Sequence, residues 1–207
     1  MTASRQLIDD SEDLTVPESS VLHAPVAPSP RPAPPEPATA PDRTAPPDLA
    51  DLLDFARVAA ADPEVLARLS LHPTERTWVR LEGPGGSEAW IIGWPPGSET
   101  GWHDHGGSSG AFVTSQGELS ELSLGVPLPT AGWRSLELEE GVDRQRSLPA
   151  GRGRAFGPHH VHQVVNPSRD LHAVSVHCYY PPLPQLRRYA RAGDVLRVAQ
   201  IEGPEEW

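Results

Sequence analysis

The chain has 207 residues and a formal net charge of −11, with no lysine, 25 prolines and one cysteine. Clustered cations of the kind that hold a phosphate backbone are not evident, a single cysteine excludes an intramolecular disulfide, and no apolar run nears the roughly 20 residues of a membrane span. The first 13 residues lack a basic start and an apolar core, so no secretory signal is expected and the cytoplasm is the default compartment.

Residues 1–47 carry 11 prolines, seven acids and three arginines with few large apolar side chains. Such a stretch cannot bury enough surface to offset chain entropy, so a disordered Pro-rich tail is predicted for 1–47 and a folded domain for 48–207. Asp48 is placed to cap a helix with Leu49, Leu52, Leu53 and Ala56 at helical spacing. Asp62-Pro63 opens a second with Val65, Leu66 and Leu69 inward. From Thr77 the pattern turns to strands: Thr77 to Leu81, Ala89 to Trp94, Ala111 to Ser115, Leu119 to Leu124, Arg154 to Phe156, Val161 to Val165 and Ala173 to Tyr179. Gly, Pro, Asn or Ser bound each of them. Tyr189 and Val195 to Ile201 suit a closing hairpin across Ala192-Gly193-Asp194. Many short strands with turn signals predict an all-β sandwich or barrel behind a short helical preface.

Chemistry concentrates at His103-Asp104-His105 and at His162. Alternate residues of a strand face one side, so His103 and His105 share a pocket while Asp104 points away. Gly97 stands six residues before His103, and Gly117 seven after Gly110. These are landmarks of the first cupin motif, G-x5-H-x-H-x3,4-E-x6-G, with Gly110 in place of the glutamate. His162 and Asn166 meet the H-x3-N ending of the second. The fold expected is therefore the cupin double-stranded β-helix, a jelly-roll barrel. The expected site is three neutral imidazoles around a mononuclear non-haem Fe(II). His160 shares a strand face with His162; His162 is preferred as third ligand for its Asn166 offset, and His159 and His160 are assigned to a polar rim or to a supporting role behind the ligands.

Three segments carry a closer resemblance. Gly101-Trp102-His103-Asp104-His105-Gly106-Gly107-Ser108, Val161-His162-Gln163-Val164-Val165-Asn166, and Ala173-Val174-Ser175-Val176-His177-Cys178-Tyr179-Tyr180-Pro181-Pro182 resemble the cysteine dioxygenases, the cupin thiol dioxygenases. The likeness runs over roughly Thr77 to Leu183, and S-x-H-x-Y-x-P-P is its most specific part. It implies that His103, His105 and His162 bind Fe(II), that Ser175, His177 and Tyr179 form an outer relay, and that L-cysteine and O2 become cysteine sulfinate. Alternation of Ser175, His177 and Tyr179 on one strand face fits a serial hydrogen-bonded chain on its own. Alignment of Arg76 to Leu81 with the family's substrate strand puts Arg80 on the substrate carboxylate.

The resemblance has two departures. Gly110 stands where animal members carry the cysteine that joins the tyrosine, so an uncrosslinked Tyr179 is expected, with Cys178 on the opposite strand face. Trp78 stands where the family often has tyrosine. Two alternatives remain open: a dioxygenase of another small thiol such as 3-mercaptopropionate, and a cupin that only binds metal. The partners expected are a small thiol and O2, with no nucleic acid and no membrane; nothing in the sequence decides the oligomeric state.

Overall fold

The computed structural model describes residues 45–128 and 132–204. Most of the predicted tail, residues 1–44, thus lies outside the described residues. Helix α1 spans Leu49–Ala61 and is capped as expected: the Asp48 carboxylate accepts from the amides of Ala50 and Asp51, and Asp51 returns the bond to the Asp48 amide. A single-turn helix α2, Pro63–Leu66, follows with Asp62 as its cap.

Twelve strands then form two sheets. They are β1 (Thr77–Glu82), β2 (Glu88–Trp94), β3 (Trp102–Asp104), β4 (Ser109–Gln116), β5 (Glu118–Leu124), β6 (Ser135–Glu137), β7 (Asp143–Pro149), β8 (Gly153–Phe156), β9 (His162–Val165), β10 (Ala173–Tyr180), β11 (Leu186–Ala192) and β12 (Val195–Glu202). One sheet has the order β1-β2-β10-β4-β8, the other β6-β12-β11-β3-β9-β5-β7. All their pairings are antiparallel, and the closing hairpin is β11 and β12. The architecture is the all-β cupin sandwich that the spacing predicted.

Burial explains the position of β10. It is the middle strand of the five-stranded sheet and is buried on both faces. Val174, Val176 and Cys178 pack outward against Leu52, Ala56, Ala59 and Ala60 of α1. Fully burying Leu52 alone contributes roughly 2 kcal/mol. The other face of β10 presents Ser175, His177 and Tyr179 to the space between the sheets, beside a core of Trp94, Phe112, Leu119, Phe156 and Val164. Strands β6 and β7 were not anticipated. β7 reads Asp-Arg-Gln-Arg-Ser-Leu-Pro at a sheet edge with only Leu148 buried, so it lacks the alternation that marks a half-buried strand.

Candidate active site

His103 lies on β3 directly opposite His162 on β9, and His105 follows just past the end of β3. The three rings are buried, with centroids 4.7 to 5.0 Å apart, and one ligand atom from each lies within 4.8 Å of the others. Asp104 turns the other way, as period two requires. Its carboxylate accepts from Arg187 Nε at 3.0 Å and Nη2 at 2.6 Å, from Tyr189 Oη, and from the Gly106 amide at 2.9 Å. That buried network anchors the segment from which both histidines project.

The ring nitrogens fit a metal cation. His103 Nδ1 lies 3.0 Å from the Gly101 carbonyl and His162 Nδ1 lies 2.9 Å from Glu121 Oε1. Neither acceptor carries a hydrogen, so each Nδ1 is the donor and each Nε2 keeps its lone pair. His105 is 0% exposed, yet neither of its nitrogens has a hydrogen-bond partner among the described residues. A buried polar atom left so costs on the order of 1–3 kcal/mol, and a cation bound between the three rings removes that cost. Burial, with the neighbouring histidines, holds His103 and His105 well below the ordinary histidine range, so both rings are neutral near pH 7.

Sequence reasoning missed Glu121. It is 0% exposed, and its Oε1 accepts from both His160 Nε2 and His162 Nδ1 at 2.9 Å. Its Oε2 accepts from Arg154 at 2.8 Å, with Arg146 at 3.7 Å. These partners overcome the cost of burial and hold the carboxyl below the usual carboxylate range. Glu121, His160 and His162 are close enough to grip a metal. The guanidinium groups on Glu121 make that spot repel a cation, so the trio is read as a hydrogen-bonded brace. Of the two roles expected for His160, a polar rim or a support behind His162, its bond to Glu121 fits the second, and burial lowers it to about 4.

On the opposite wall the three alternating residues do meet. Trp94 Nε1 donates to Ser175 Oγ at 2.8 Å, Ser175 Oγ lies 2.9 Å from His177 Nε2, and His177 Nδ1 lies 3.1 Å from the Tyr179 hydroxyl. A serine hydroxyl can accept twice, so the direction of this series follows the His177 tautomer: with the ring hydrogen on Nδ1, Ser175 donates to His177 Nε2. His177 Nδ1–H then donates to Tyr179, and the Tyr179 hydrogen is left to point into the cavity. Burial pushes His177 down to about 3 and Tyr179 up, so the chain is uncharged near neutrality. Gly110 is required beside it: a Cβ there would sit 2.7 Å from Phe156 Cζ and 2.8 Å from Tyr179 Cδ1. Cys178 Sγ lies on the far face of β10, 3.4 Å from Ser87 Oγ.

His103, His162, His177 and Tyr179 line a cavity of about 270 Å³ together with Trp78, Trp90, Trp94, Leu183, Leu186, Arg188 and Glu202. The arginine of β1 is not among them. Arg80 is 66% exposed, pairs with Glu88 at 3.1 Å and lies over the Trp90 ring, lining a separate groove with Phe55 and Val65. This corrects the expectation for Arg80. Arg76 lines the cavity instead, with its guanidinium 5.4 Å from the Trp94 ring centre. Arg76 and Arg80 share strand parity, but β1 runs antiparallel to β2, which sets Arg80 opposite Trp90 and carries Arg76 to the Trp94 end. Arg76 makes no hydrogen bond or ion pair among the described residues, and burial, then Arg188, lowers its pKa. Arg188, by contrast, is held by Glu202 and by the Thr100 carbonyl at 3.0 Å.

A family model for cysteine dioxygenase type I matches residues 39–192. The chain belongs to this family. No match was found among curated proteins. Similar solved structures include an oxalate oxidase in complex with the substrate analogue glycolate, at 20% identity and a TM-score of 0.40 over 52% of each chain. A cupin superfamily protein from Desulfitobacterium hafniense is similar at 10% identity and a TM-score of 0.38 over 53% of this chain and 83% of that one. An L-ribose isomerase from Cellulomonas parahominis is similar at 15% identity and a TM-score of 0.38 over 45% and 49%. The chain spans about half the length of the oxalate oxidase it matches. No helix among the described residues is long and apolar enough to cross a membrane.

Proposed function

We propose that this protein is an Fe(II)-dependent cysteine dioxygenase that converts L-cysteine and O2 to cysteine sulfinate in the cytoplasm. One observation supports the proposal: a single cavity is lined by His103 and His162, with His105 buried against them, by the Arg76 guanidinium, which has no hydrogen bond or ion pair among the described residues, and by the Tyr179 hydroxyl at the end of a hydrogen-bonded series. His103, His105 and His162 would hold the iron, which when bound supplies a Lewis acid for the substrate thiolate and an electron source for O2.

The chain's own residues do the rest. Arg76 takes the substrate carboxylate through two parallel N–H bonds, in a place where burial strengthens the pair. Tyr179 offers its hydrogen into the cavity, and His177 and Ser175 fix its direction without adding charge. Glu121 and the Gly101 carbonyl fix the ring orientation of His162 and His103. Trp90, Trp94, Leu183 and Leu186 keep water from competing with these contacts. Sulfur leaves at the sulfinic level, with both oxygen atoms of O2 on the product. The catalytic unit assigned is 48–207, with 1–47 dispensable for turnover.

3-Mercaptopropionate is the second reading, because Arg76 would meet its carboxylate equally well. Oxygen uptake by the Fe(II)-loaded protein, compared among cysteine, 3-mercaptopropionate and cysteamine, tests both. Fastest uptake with cysteine and slowest with cysteamine is expected. Fastest uptake with 3-mercaptopropionate would replace the substrate, and no uptake with any thiol would leave a metal-binding cupin without this activity.

A further inference from the structure

β7 and β8 are edge strands of opposite sheets, joined through Ala150, Gly151 and Arg152. At this open end of the sandwich the inward positions change character. On β7, Leu148 faces Leu119 in the core, but the next inward residues toward its start are Arg146, opposite Glu121, and Arg144, opposite Ser123. From the other sheet Arg154, opposite Phe112 on β4, reaches into the same space. The three arginines, with His160, line a cavity of about 440 Å³ that lies behind the three-histidine site. Gly125 makes room for one of them: a Cβ there would sit 3.1 Å from Arg144 Cζ.

The charges in this cavity do not balance. Glu121 is the carboxylate that answers Arg154 at 2.8 Å and Arg146 at 3.7 Å, while Asp143, which also acts on Arg144, is held in two bonds by Arg191. Arg144 bonds two neutral carbonyls, those of Gly141 and Asp143. Two positive charges are therefore in surplus, in a chain whose net charge is −11. Arg146 is 46% exposed and Arg154 23%, so this concave wall presents its field to solvent, where a dissolved anion meets it.

We propose that this cavity is a binding site for a small doubly charged oxyanion of the phosphate or sulfate type, and that the occupant shares Arg154 with Glu121. Guanidinium groups match oxyanions through paired N–H bonds, and two surplus charges match a dianion. The sharing gives the site a reach. Glu121 Oε1 is the acceptor that orients His162, so an anion that draws Arg154 off Oε2 alters the brace behind that ring. The consequence for metal binding rests on the iron reading above, whereas anion binding does not.

The test uses the full chain as purified, titrated with sodium phosphate and with sodium sulfate against sodium chloride at equal ionic strength, by calorimetry and thermal unfolding. Saturable binding of either oxyanion and a matching rise in Tm are expected, with chloride inert. Arg144→Ala and Arg146→Ala should each weaken the binding about tenfold, while Arg57→Ala, exposed on α1, leaves it unchanged. A linear response equal to that of chloride would overturn the site and leave the inward arginines as guards of a sheet edge. Saturable binding untouched by both substitutions would overturn it as well, by placing the anion elsewhere. Nitrogen chemical shifts of His162, followed in the metal-free full chain, test the sharing: they should move with phosphate, and saturation without movement would refute that half.

Discussion

On the seven-stranded side of the cavity two of the clustered histidines are tied from behind by something fixed: His162 by a buried carboxylate and His103 by a carbonyl, with Asp104 clamped to Arg187 between His103 and His105. On the five-stranded side the functional groups are tied only to one another, in the uncharged series Trp94, Ser175, His177, Tyr179. One wall suits holding a cation, which needs neutral lone pairs and anions one bond away. The other suits steering a hydrogen, which needs donors and acceptors in a defined order and no stray charge.

Removing a ligand should break the first wall outright. His103→Ala or His162→Ala should lower Fe(II) affinity by more than about a hundredfold, beyond the 10–100-fold typical of losing an outer partner. Iron content after dialysis measures it. If His162→Ala keeps its iron while His160→Ala loses it, the third ligand is His160 and the role given to Glu121 is wrong.

Substrate anchoring ranks next. Arg76→Ala should cost on the order of 2–4 kcal/mol, or about 30- to 1,000-fold in kcat/KM for cysteine, by removing a charge-assisted pair in a dry cavity. Cysteamine, without a carboxylate, should barely respond to the same change. Equal losses for the two would show that Arg76 supports the wall and not the substrate.

Breaking the second wall should spare the metal. Tyr179→Phe should retain full iron occupancy and lower kcat roughly 100-fold, the low end of what one preorganised donor contributes. Loss of iron together with activity would merge the two walls into one structural unit.

Acid should sharpen the contrast in the metal-free protein. His177 is held down to about 3 and His160 to about 4, both below the ordinary value near 6.5. The unfolded chain therefore binds protons that the folded chain refuses between those values. Stability present above pH 6.5 is lost as pH falls toward 3, by up to about 1.4 kcal/mol per pH unit for each histidine. Urea unfolding from pH 7 to pH 4 measures the slope, and His177→Asn should flatten it.

That His103, His105 and His162 come together, and that Ser175, His177 and Tyr179 share one face of β10, was legible in the sequence from the H-x-H and S-x-H-x-Y alternation and from the H-x3-N ending at His162. Glu121 was not. In Leu119 to Leu124 the apolar residues are 119, 122 and 124, which names no single face, and it is the polar pair Glu121 and Ser123 that turns inward with Leu119. The usable signal was that Glu121 shares the face of Leu119, but nothing in the chain announces that His160 and Arg154 wait beside it. The fold was legible for the same reason as the ligands, except at β6 and β7, where the edge of a sheet asks for little burial.

Arg76 and Arg80 set the smallest prediction, because parity alone makes them equivalent. Both have the parity of Trp78, Arg80 within β1 and Arg76 one residue before it starts, and what separates them is depth along that line, which no residue pattern encodes. Arg80 is 66% exposed and its Glu88 partner also accepts the Leu183 amide at 3.1 Å, so that carboxylate keeps a donor when the guanidinium is cut away. With the guanidinium solvated and the buried carboxylate still bonded to an amide, the pair contributes roughly 1 kcal/mol. Arg80→Ala should therefore change Tm by a few degrees at most, with kcat/KM for cysteine within about twofold of the parent. A hundredfold loss at Arg80 with Arg76→Ala silent would restore Arg80 as the carboxylate anchor, and would require β1 to slide four residues along β2 when substrate binds.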